Sequence, residues 1–380
     1  MRNFGKIKKV IIKIGSSSLV KEDLSINEPV LITIMSQFKK LKDMGINPCI
    51  VTSGAIALGM HELKYDTKPT IMAEKQACAA VGQAKLMEYY NKASEIYGLT
   101  LGQILVTHDD FQFRKRMIHL SNTLDSMFKA NVIPVINEND ALSVEEIKVG
   151  DNDTLASLFA PMIGADLLIL FSDIDGLYDK NPKVYSDAKL ISKVDKIDKT
   201  VLSYASGSSS KVGTGGMMTK LNAALISTTA NVNMIICNSN KIDSLTDIIK
   251  GEEIGTLFVK NKGIHSRDHW IIFKTNALGS IYVDDGLKDV IKNKKVSILS
   301  KGITKVTGSF IKGNVIDVRD NNDKIIAKGI VNYSNLEIDM IKGKSSDEIL
   351  DILGHISKDE VIHANDLVIV EGEAYGQIIK

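Results

Sequence analysis

The sequence predicts an α/β protein with a mostly parallel central sheet covered by helices on both faces, followed by a small β-barrel domain. Two observations lead to this prediction. As far as about residue 260, strand-like apolar runs alternate with helix-like periodic segments, which is typical of parallel sheets. After about residue 275 the apolar runs are short and separated by glycines, which is typical of a small all-β domain. We therefore expect two domains, residues 1–275 and 276–380.

The first βαβ unit lies at the N-terminus. Residues 10–14 have the pattern of a buried strand, which ends at Gly15. Apolar positions in residues 30–41 recur with helical spacing, and Gly45 is well placed to end that helix. Residues 48–52 again have a strand pattern and lead into Ser53 and Gly54. These segments make one strand, one helix and a second strand.

The same alternation continues along the chain. Further strands are expected at residues 103–106, 132–136, 166–171 and 232–237, and further helices near 82–97, 120–130, 153–161 and 216–229. Four of the strands run into polar or glycine-containing segments, at residues 15–17, 53–54, 137–140 and 172–173. Since ligands of such sheets bind beyond the carboxyl ends of the strands, these segments predict a binding site.

Composition excludes several classes of protein. The 380 residues carry 47 Lys and Arg against 46 Asp and Glu, a formal net charge of +1. A nearly neutral chain has no global electrostatic reason to bind nucleic acid or an anionic membrane, and no apolar run approaches the roughly 20 residues that cross a bilayer. The three cysteines, Cys49, Cys78 and Cys237, are far apart. They indicate neither a disulfide framework nor a metal site, and a cytoplasmic location is expected.

A glycine-rich segment at residues 213–220 directly precedes a helical stretch. Glycines allow backbone amides to approach an anion closely, and a helix N-terminus favours negative charge. Lys220 would add a cation near the same anion. The segment is neither a Walker A loop nor a dinucleotide-binding fingerprint. A phosphate site and a plain glycine-rich turn both remain open from the residues alone.

Lys13 lies inside an apolar strand, where a charge is costly unless it is paired or faces a ligand. A lysine at a sheet edge could instead extend its amine to water. Its position just before residues 15–17 favours a phosphate role, so that Lys13 and Lys220 could together hold the phosphates of a nucleotide.

Acidic and amide residues form the remaining candidates. Residues 137–140 follow a strand and residues 150–153 precede a helix, and either set could simply form a turn or a helix N-cap. Asp153 could both cap its helix and neutralise two nearby lysines. Ser172 and Asp173 follow the most apolar strand and are candidates for the nucleotide side of the site.

Seven segments in the same order resemble the glutamate 5-kinase family over nearly the whole chain. They are residues 12–17, 51–59, 136–140, 150–153, 172–178, 213–217 and 361–363. The resemblance implies an amino-acid-kinase fold, a three-layer αβα sandwich, followed by a PUA domain. Residues 288–295 are more charged than the resemblance leads us to expect in that second domain.

The resemblance also implies roles for individual residues. Lys13 and Lys220 would contact the phosphates of ATP and Asp153 would hold the two lysines, while Ser53, Asp140 and Asn152 would bind L-glutamate. The nucleotide would be held by Lys13, Ser172, Asp173, Thr214, Gly215, Gly216, Met217, Met218, Thr219 and Lys220. Mg²⁺ would accompany ATP, L-proline is a possible feedback inhibitor, and a homo-oligomer, either a dimer or a tetramer, is expected.

The implied chemistry agrees with the residue inventory. A glutamate γ-carboxylate has a reference pKa near 4.3, so it is an ionised nucleophile at neutral pH and requires no general base. Phosphoryl transfer to it requires positioning and the neutralisation of two approaching anions. Two lysines, Mg²⁺ and backbone amides would supply both. The expected product is L-glutamyl 5-phosphate, which the resemblance places at the first step of proline biosynthesis.

Two alternatives remain. Another kinase of the same superfamily would act on acetylglutamate, aspartate, carbamate or UMP, although residues 52–59 and the β-rich second domain favour glutamate. An RNA-binding protein is the other alternative, because PUA domains often occur in RNA-modifying enzymes. Residues 276–380 contain 14 Lys and Arg against 16 Asp and Glu, a net charge of −2. This charge argues against RNA binding, which requires a basic face.

Overall fold

The computed structural model describes residues 1–107, 110–111, 114–142, 152–205, 216–261, 271, 277–294 and 296–370. The chain divides into two compact units, Met1–Gly263 and Ile264–Lys380. The domain boundary expected at residue 275 falls among residues 272–276, which lie outside the described residues. Each unit has its own sheet and its own hydrophobic core.

The first unit is built on an eight-stranded sheet. Its strands are β1 (Lys9–Ile14), β2 (Asn47–Val51), β3 (Leu101–Val106), β4 (Ile133–Glu138), β5 (Leu167–Ser172), β6 (Lys193–Val194), β7 (Asn233–Asn238) and β8 (Thr256–Phe258). Their order across the sheet is β3-β4-β2-β1-β5-β7-β8-β6. Neighbouring strands are parallel except for β7 and β8, which are antiparallel. The prediction of a mostly parallel sheet is confirmed.

Helices pack on both faces of this sheet. The described α-helices are α1 (Ser16–Leu19), α2 (Glu28–Asp43), α3 (Ala55–Glu62), α4 (Met72–Glu95), α5 (Arg114–Lys129), α6 (Asn152–Met162), α7 (Lys199–Ser203), α8 (Met217–Thr229) and α9 (Leu245–Lys250), with a 3₁₀ segment at Ser239–Ser244. Ile12 of β1 packs in one core with Leu31 and Phe38 of α2. Its neighbour Lys13 points to the opposite face, where it meets α6.

The helix expected near residues 82–97 begins earlier than predicted, at Met72. The buried apolar positions in its first half are small residues, Cys78 and Ala79. Such residues give a weak periodic signal because they contribute little to an apolar pattern. Among the described helices, none combines the length and the apolar character that a membrane span requires.

Helices α3 and α4 approach each other unusually closely through two glycines. A Cβ atom at Gly59 would lie 1.8 Å from the carbonyl oxygen of Cys78, and one at Gly82 would lie 1.8 Å from that of Ala55. No side chain fits at either distance, so only glycine permits this helix crossing. The crossing fixes the position of α4 beside the carboxyl end of β2.

The second unit contains a five-stranded sheet in the order β10-β9-β11-β12-β13. The strands are β9 (Gly279–Val283), β10 (Ile303–Gly308), β11 (Val315–Arg319), β12 (Ile325–Ile330) and β13 (Leu367–Ile369). The prediction of an all-β domain is wrong in one respect, because three α-helices belong to the unit. They are α10 (Asp285–Asn293), α11 (Asn335–Ile341) and α12 (Ile349–Leu353), accompanied by 3₁₀ turns at Ser300–Gly302, Ser346–Glu348 and Ala364–Asp366.

Helix α10 accounts for most of the charged stretch at residues 288–295. The Asp284 side chain accepts a hydrogen bond of 2.7 Å from the backbone of Leu287 and so caps the helix. Ile291 is fully buried in the core of the unit. Asp285 and Asp289 are exposed, as expected for the polar face of an amphipathic helix.

Candidate functional site

Four adjacent strands carry the predicted site residues at their carboxyl ends. In the sheet order, β4, β2, β1 and β5 are consecutive and parallel. Strands β2, β3 and β4 lie on one side of β1, and the next strand, β5, lies on its other side. The strand order therefore reverses at β1. Open α/β sheets bind ligands at such a reversal. Lys13 is near the end of β1, and Ser172 ends β5.

Lys13 and Lys220 meet at one buried carboxylate. Lys13 Nζ lies 2.6 Å from Asp153 Oδ1, and Lys220 Nζ lies 3.0 Å from Asp153 Oδ2. Lys220 is in the first turns of α8, and Asp153 is in the first turn of α6. The Asp153 side chain is only 2% exposed. The structure thus brings together three residues that the sequence places far apart.

The charges of this cluster do not balance. Burial works to raise the pKa of the Asp153 carboxyl, but the positive charges of Lys13 and Lys220 and their hydrogen bonds outweigh burial and hold that pKa below its usual value. The N-terminus of α6 favours the same ionised state. Taken by themselves, these three groups carry two positive charges and one negative charge. A cluster of this kind attracts an anion.

Asn152 connects the end of β2 to the end of β4. Its side-chain Nδ2 donates to the carbonyl oxygen of Thr52 and to Ser53 Oγ, both at 2.8 Å, and to Asn137 Oδ1 at 3.2 Å. The predicted pair Ser53 and Asn152 is therefore in direct contact. Because Asn152 precedes Asp153 in α6, this amide cluster adjoins the lysine pair.

Two polar residues of this region, Gln83 and Tyr90, escaped the sequence analysis as candidates. Asn137 Nδ2 donates to Gln83 Oε1 at 2.8 Å, and the hydroxyls of Thr52 and Tyr90 are 2.9 Å apart. Gln83 and Tyr90 are in α4, far from every recognised segment. The available signal was Gln83 itself, a polar residue beside small buried residues on a helix.

Asp140 lines a pocket of about 310 Å³ near the end of β4. Small side chains of α3 and α4 form one wall and the segment after β4 forms another; the lining residues are Ala55, Ala79, Ala80, Gln83, Ala84, Gln103, Leu105, Glu138, Asn139, Asp140 and Ala141. The pocket therefore combines apolar walls with two carboxylates and three carboxamides. Such a lining suits a small polar ligand.

The predicted nucleotide residues are only partly described. Ser172 Oγ donates to Asp173 Oδ1 at 2.9 Å at the end of β5, the neighbour of β1. Gly216 is the N-cap residue of α8, with Met217, Met218 and Thr219 in the first turn. Thr219 Oγ1 donates to the Gly216 carbonyl at 2.7 Å. Thr214 and Gly215 lie outside the described residues, as do residues 150–151 of the acidic segment.

In the described part of the chain, no group of three or more His, Cys, Asp or Glu side chains is placed to hold a metal ion. All three cysteines are buried and unpaired. Burial raises the pKa of the Cys49 thiol far above its usual value, and a protonated thiol is a poor nucleophile.

Comparison with known proteins agrees with this arrangement. The amino acid kinase family model matches residues 8–238, and the PUA domain model matches residues 279–353. The fold and the site thus define a kinase of the amino acid kinase family carrying a C-terminal PUA domain.

Relatives identify the branch of that family. The chain is 43% identical to a glutamate 5-kinase of Caldanaerobacter subterraneus subsp. tengcongensis, over 97% of this chain and 100% of that protein. It is 42% identical to a glutamate 5-kinase of a Thermoanaerobacter species, with the same coverage. The chain belongs to the glutamate 5-kinase family. Among solved structures, an isopentenyl phosphate kinase of T. acidophilum is a distant likeness, with a TM-score of 0.47 and 17% identity over 66% of this chain and 100% of that one.

Proposed function

We propose that this chain transfers the γ-phosphoryl group of ATP to the γ-carboxylate of L-glutamate, giving ADP and L-glutamyl 5-phosphate. Family membership places this reaction at the first step of proline biosynthesis. The observation that carries the proposal is the contact of Lys13 and Lys220 with the single carboxylate of Asp153, next to the amide cluster of Asn152.

The two ammonium groups of the lysine cluster meet the main requirement of the reaction. An anionic phosphoryl group and an anionic carboxylate must approach each other, and their repulsion must be offset. Asp153 holds both ammonium groups in place before substrate arrives, so that little reorganisation is needed during transfer. We assign Lys13 and Lys220 to the phosphates and Asp153 to the positioning of both lysines.

The acceptor would bind on the β2 and β4 side of the lysine cluster. Ser53 and Asn152 are already hydrogen-bonded to each other there, and Asp140 lines the adjacent pocket. An aspartate carboxylate suits the α-ammonium group of an amino acid, whereas hydroxyl and amide groups suit its carboxylates. We therefore assign Ser53, Asp140 and Asn152 to L-glutamate.

The nucleotide would bind on the β5 and α8 side. We assign Ser172, Asp173 and residues 214–220 to ATP, because the N-terminus of α8 presents backbone amides and Lys220 to an anion. Mg²⁺ usually retains several waters and binds substrate phosphates with one or two carboxylates. It would enter with ATP and lower the charge repulsion at the transferring group, and no side chain is assigned as its direct ligand.

Three further expectations belong to this proposal. Self-association as a dimer or tetramer and inhibition by L-proline follow from the family resemblance, and a cytoplasmic location follows from the scattered cysteines. The three buried, unpaired cysteines agree with a reducing compartment. Analytical ultracentrifugation and assays with added L-proline would test the first two.

Trapping with hydroxylamine tests the reaction itself. The purified chain is incubated with ATP, Mg²⁺, hydroxylamine and L-glutamate, and hydroxamate is measured. We expect glutamate-dependent hydroxamate, because an acyl phosphate reacts with hydroxylamine. Parallel reactions with acetylglutamate, aspartate, carbamate or UMP, followed by ADP release, compare the acceptors. ADP release that prefers one of those acceptors over glutamate would reject the proposed substrate.

A further inference from the structure

Near the pocket lined by Asp140, three side-chain amides form a chain of hydrogen bonds that all run in the same direction. Asn152 Nδ2 donates to Asn137 Oδ1 at 3.2 Å, and Asn137 Nδ2 donates to Gln83 Oε1 at 2.8 Å. We call Asn152, Asn137 and Gln83 the amide relay. In each step, the side-chain NH₂ group of one amide donates a hydrogen bond to the side-chain oxygen of the next.

The direction of the amide relay is set by the main chain. Asn152 Nδ2 also contacts the carbonyl oxygen of Thr52 at 2.8 Å, and a peptide carbonyl can only accept a hydrogen bond. Asn152 must therefore present its NH₂ group on this side. Asn137 must then direct its Oδ1 towards Asn152 and its Nδ2 towards Gln83. Because Asn137 Nδ2 is a donor, Gln83 must direct its Oε1 towards Asn137. Reversing any one amide would place two donors or two acceptors together.

This direction leaves a donor at the end of the amide relay. Gln83 Nε2 is buried and has no hydrogen-bond partner among the described residues. The Gln83 residue is 8% exposed and lines the pocket that also contains Asp140. A buried donor without a partner is costly in a folded protein, and a partner supplied by a ligand removes that cost.

We propose that Gln83 Nε2 donates a hydrogen bond to the α-carboxylate of the acceptor amino acid, which makes Gln83 a specificity-determining residue. This inference rests on the proposed function. The γ-carboxylate must lie at the lysine cluster, where Asp153 adjoins Asn152 at the opposite end of the amide relay. The carboxylate that reaches Gln83 is therefore the α-carboxylate, with Asp140 in the same pocket to balance the α-ammonium group.

Replacement by glutamate separates the two functions of this side chain. In Gln83→Glu, one oxygen still accepts from Asn137 Nδ2, so the amide relay persists, but the free donor becomes an anion. We expect KM for L-glutamate to rise about tenfold or more, since a hydrogen bond to a charged group is lost. KM for ATP and kcat should change less than about threefold. A Gln83→Met variant, which lacks both groups, provides a second measurement if Gln83→Glu is poorly folded.

Gln103→Glu is the matched comparison, because Gln103 is exposed and lines the same pocket. It adds the same charge to the pocket without touching the amide relay, so it measures general repulsion, and its KM for L-glutamate should rise clearly less than that of Gln83→Glu. A comparable rise in both variants would show general repulsion and overturn the inference, as would an unchanged KM in Gln83→Glu.

A substrate analogue tests which carboxylate is recognised. 4-Aminobutanoate is glutamate without its α-carboxylate, and its binding is measured as competitive inhibition against L-glutamate. Gln83→Glu should alter its inhibition constant less than about threefold while raising KM for glutamate. Equal losses for both compounds would contradict α-carboxylate recognition. If the unsubstituted chain forms no glutamate hydroxamate, the proposed function fails; if it does and Gln83→Glu is normal, only this inference fails.

Discussion

Lys13 Nζ lies 2.6 Å from Asp153 Oδ1, so a strand lysine near the N-terminus is fixed by the first turn of a helix from the middle of the chain. The other oxygen of the same carboxylate holds Lys220 at 3.0 Å. This contact joins β1, α6 and α8 into one site. It also makes each member of the cluster dependent on the other two.

Removal of either lysine should reduce turnover strongly. In Lys13→Ala and Lys220→Ala, the transferring phosphoryl group loses a preorganised positive charge, and kcat should fall about 10²-fold or more. Steady-state kinetics of both variants measures this loss. Lys39→Ala, which removes an exposed lysine paired with Asp43, should retain normal kcat. Near-normal turnover in both site variants would refute the assigned roles.

Asp153→Asn should destabilise the first unit as well as reduce turnover. The substitution keeps the shape of the side chain but removes the buried carboxylate that Lys13 and Lys220 share, at a cost of about 3 kcal/mol in free energy of unfolding. Urea unfolding at pH 7 measures the difference. Asp125→Asn breaks the half-exposed pair with Lys9 and should cost less than about 1 kcal/mol.

The stabilisation by Asp153 should depend on pH in one direction. Its folded pKa lies below the unfolded value of about 3.9. The contribution is therefore complete above that value and is lost as the pH falls through the folded pKa. The difference in unfolding free energy between the unsubstituted chain and Asp153→Asn should stay constant from about pH 7 to 5 and narrow below about pH 4. A difference that grows on acidification would have the wrong sign.

Ser53→Ala and Asn152→Ala should weaken glutamate binding more than ATP binding. Each removes one partner of the hydrogen bond between Ser53 Oγ and Asn152 Nδ2, at the position assigned to the acceptor. KM for L-glutamate should rise about tenfold, with KM for ATP within about twofold. Ser126→Ala, on the exposed side of α5, serves as the control. Equal changes for both substrates would indicate a different site layout.

Gly82→Ala should push α4 away from α3. The new Cβ would meet the Ala55 carbonyl at 1.8 Å, and overpacking of this kind costs about 1–3 kcal/mol. The neighbouring Gln83 should shift with the helix, so KM for L-glutamate should rise together with the loss of stability. Thermal unfolding and kinetics measure the two effects. Val81→Ala, an exposed position on the same helix, should change neither.

The sequence was sufficient to predict the lysine cluster because its members follow the rules of parallel sheets. Lys13 is a charge inside an apolar strand next to Gly15, and Lys220 is in the first turns of a helix that follows a glycine-rich segment. Asp153 lies at the start of a segment with a helical pattern. Positions defined by strand ends and helix starts converge whatever the detailed packing.

Gln83 and Tyr90 could not be found in the same way. Both are in the interior of α4, and their contacts with Asn137 and Thr52 depend on how closely α4 crosses α3. That distance is set by Gly59 and Gly82, whose meaning appears only once the two helices are packed together. The antiparallel β8 was missed for a simpler reason, since three residues give too short a pattern.

Helix α10 of the second unit could have been predicted from the sequence. Leu287 and Ile291 are four residues apart, between Asp284 as a capping residue and a run of lysines. This is the pattern of an amphipathic helix. The glycine-separated strands around it favoured an all-β prediction instead.

The carbonyl of Thr52 belongs to the polypeptide backbone, which no exchange of side chain can invert. Every variant that keeps the backbone in this position therefore keeps a hydrogen-bond acceptor at the Thr52 carbonyl. Evolution or design could replace the three amides to admit another substrate. The side chain at position 152 would still have to donate a hydrogen bond to the Thr52 carbonyl. The backbone thereby limits which substrates the pocket can accept, whatever side chains line it.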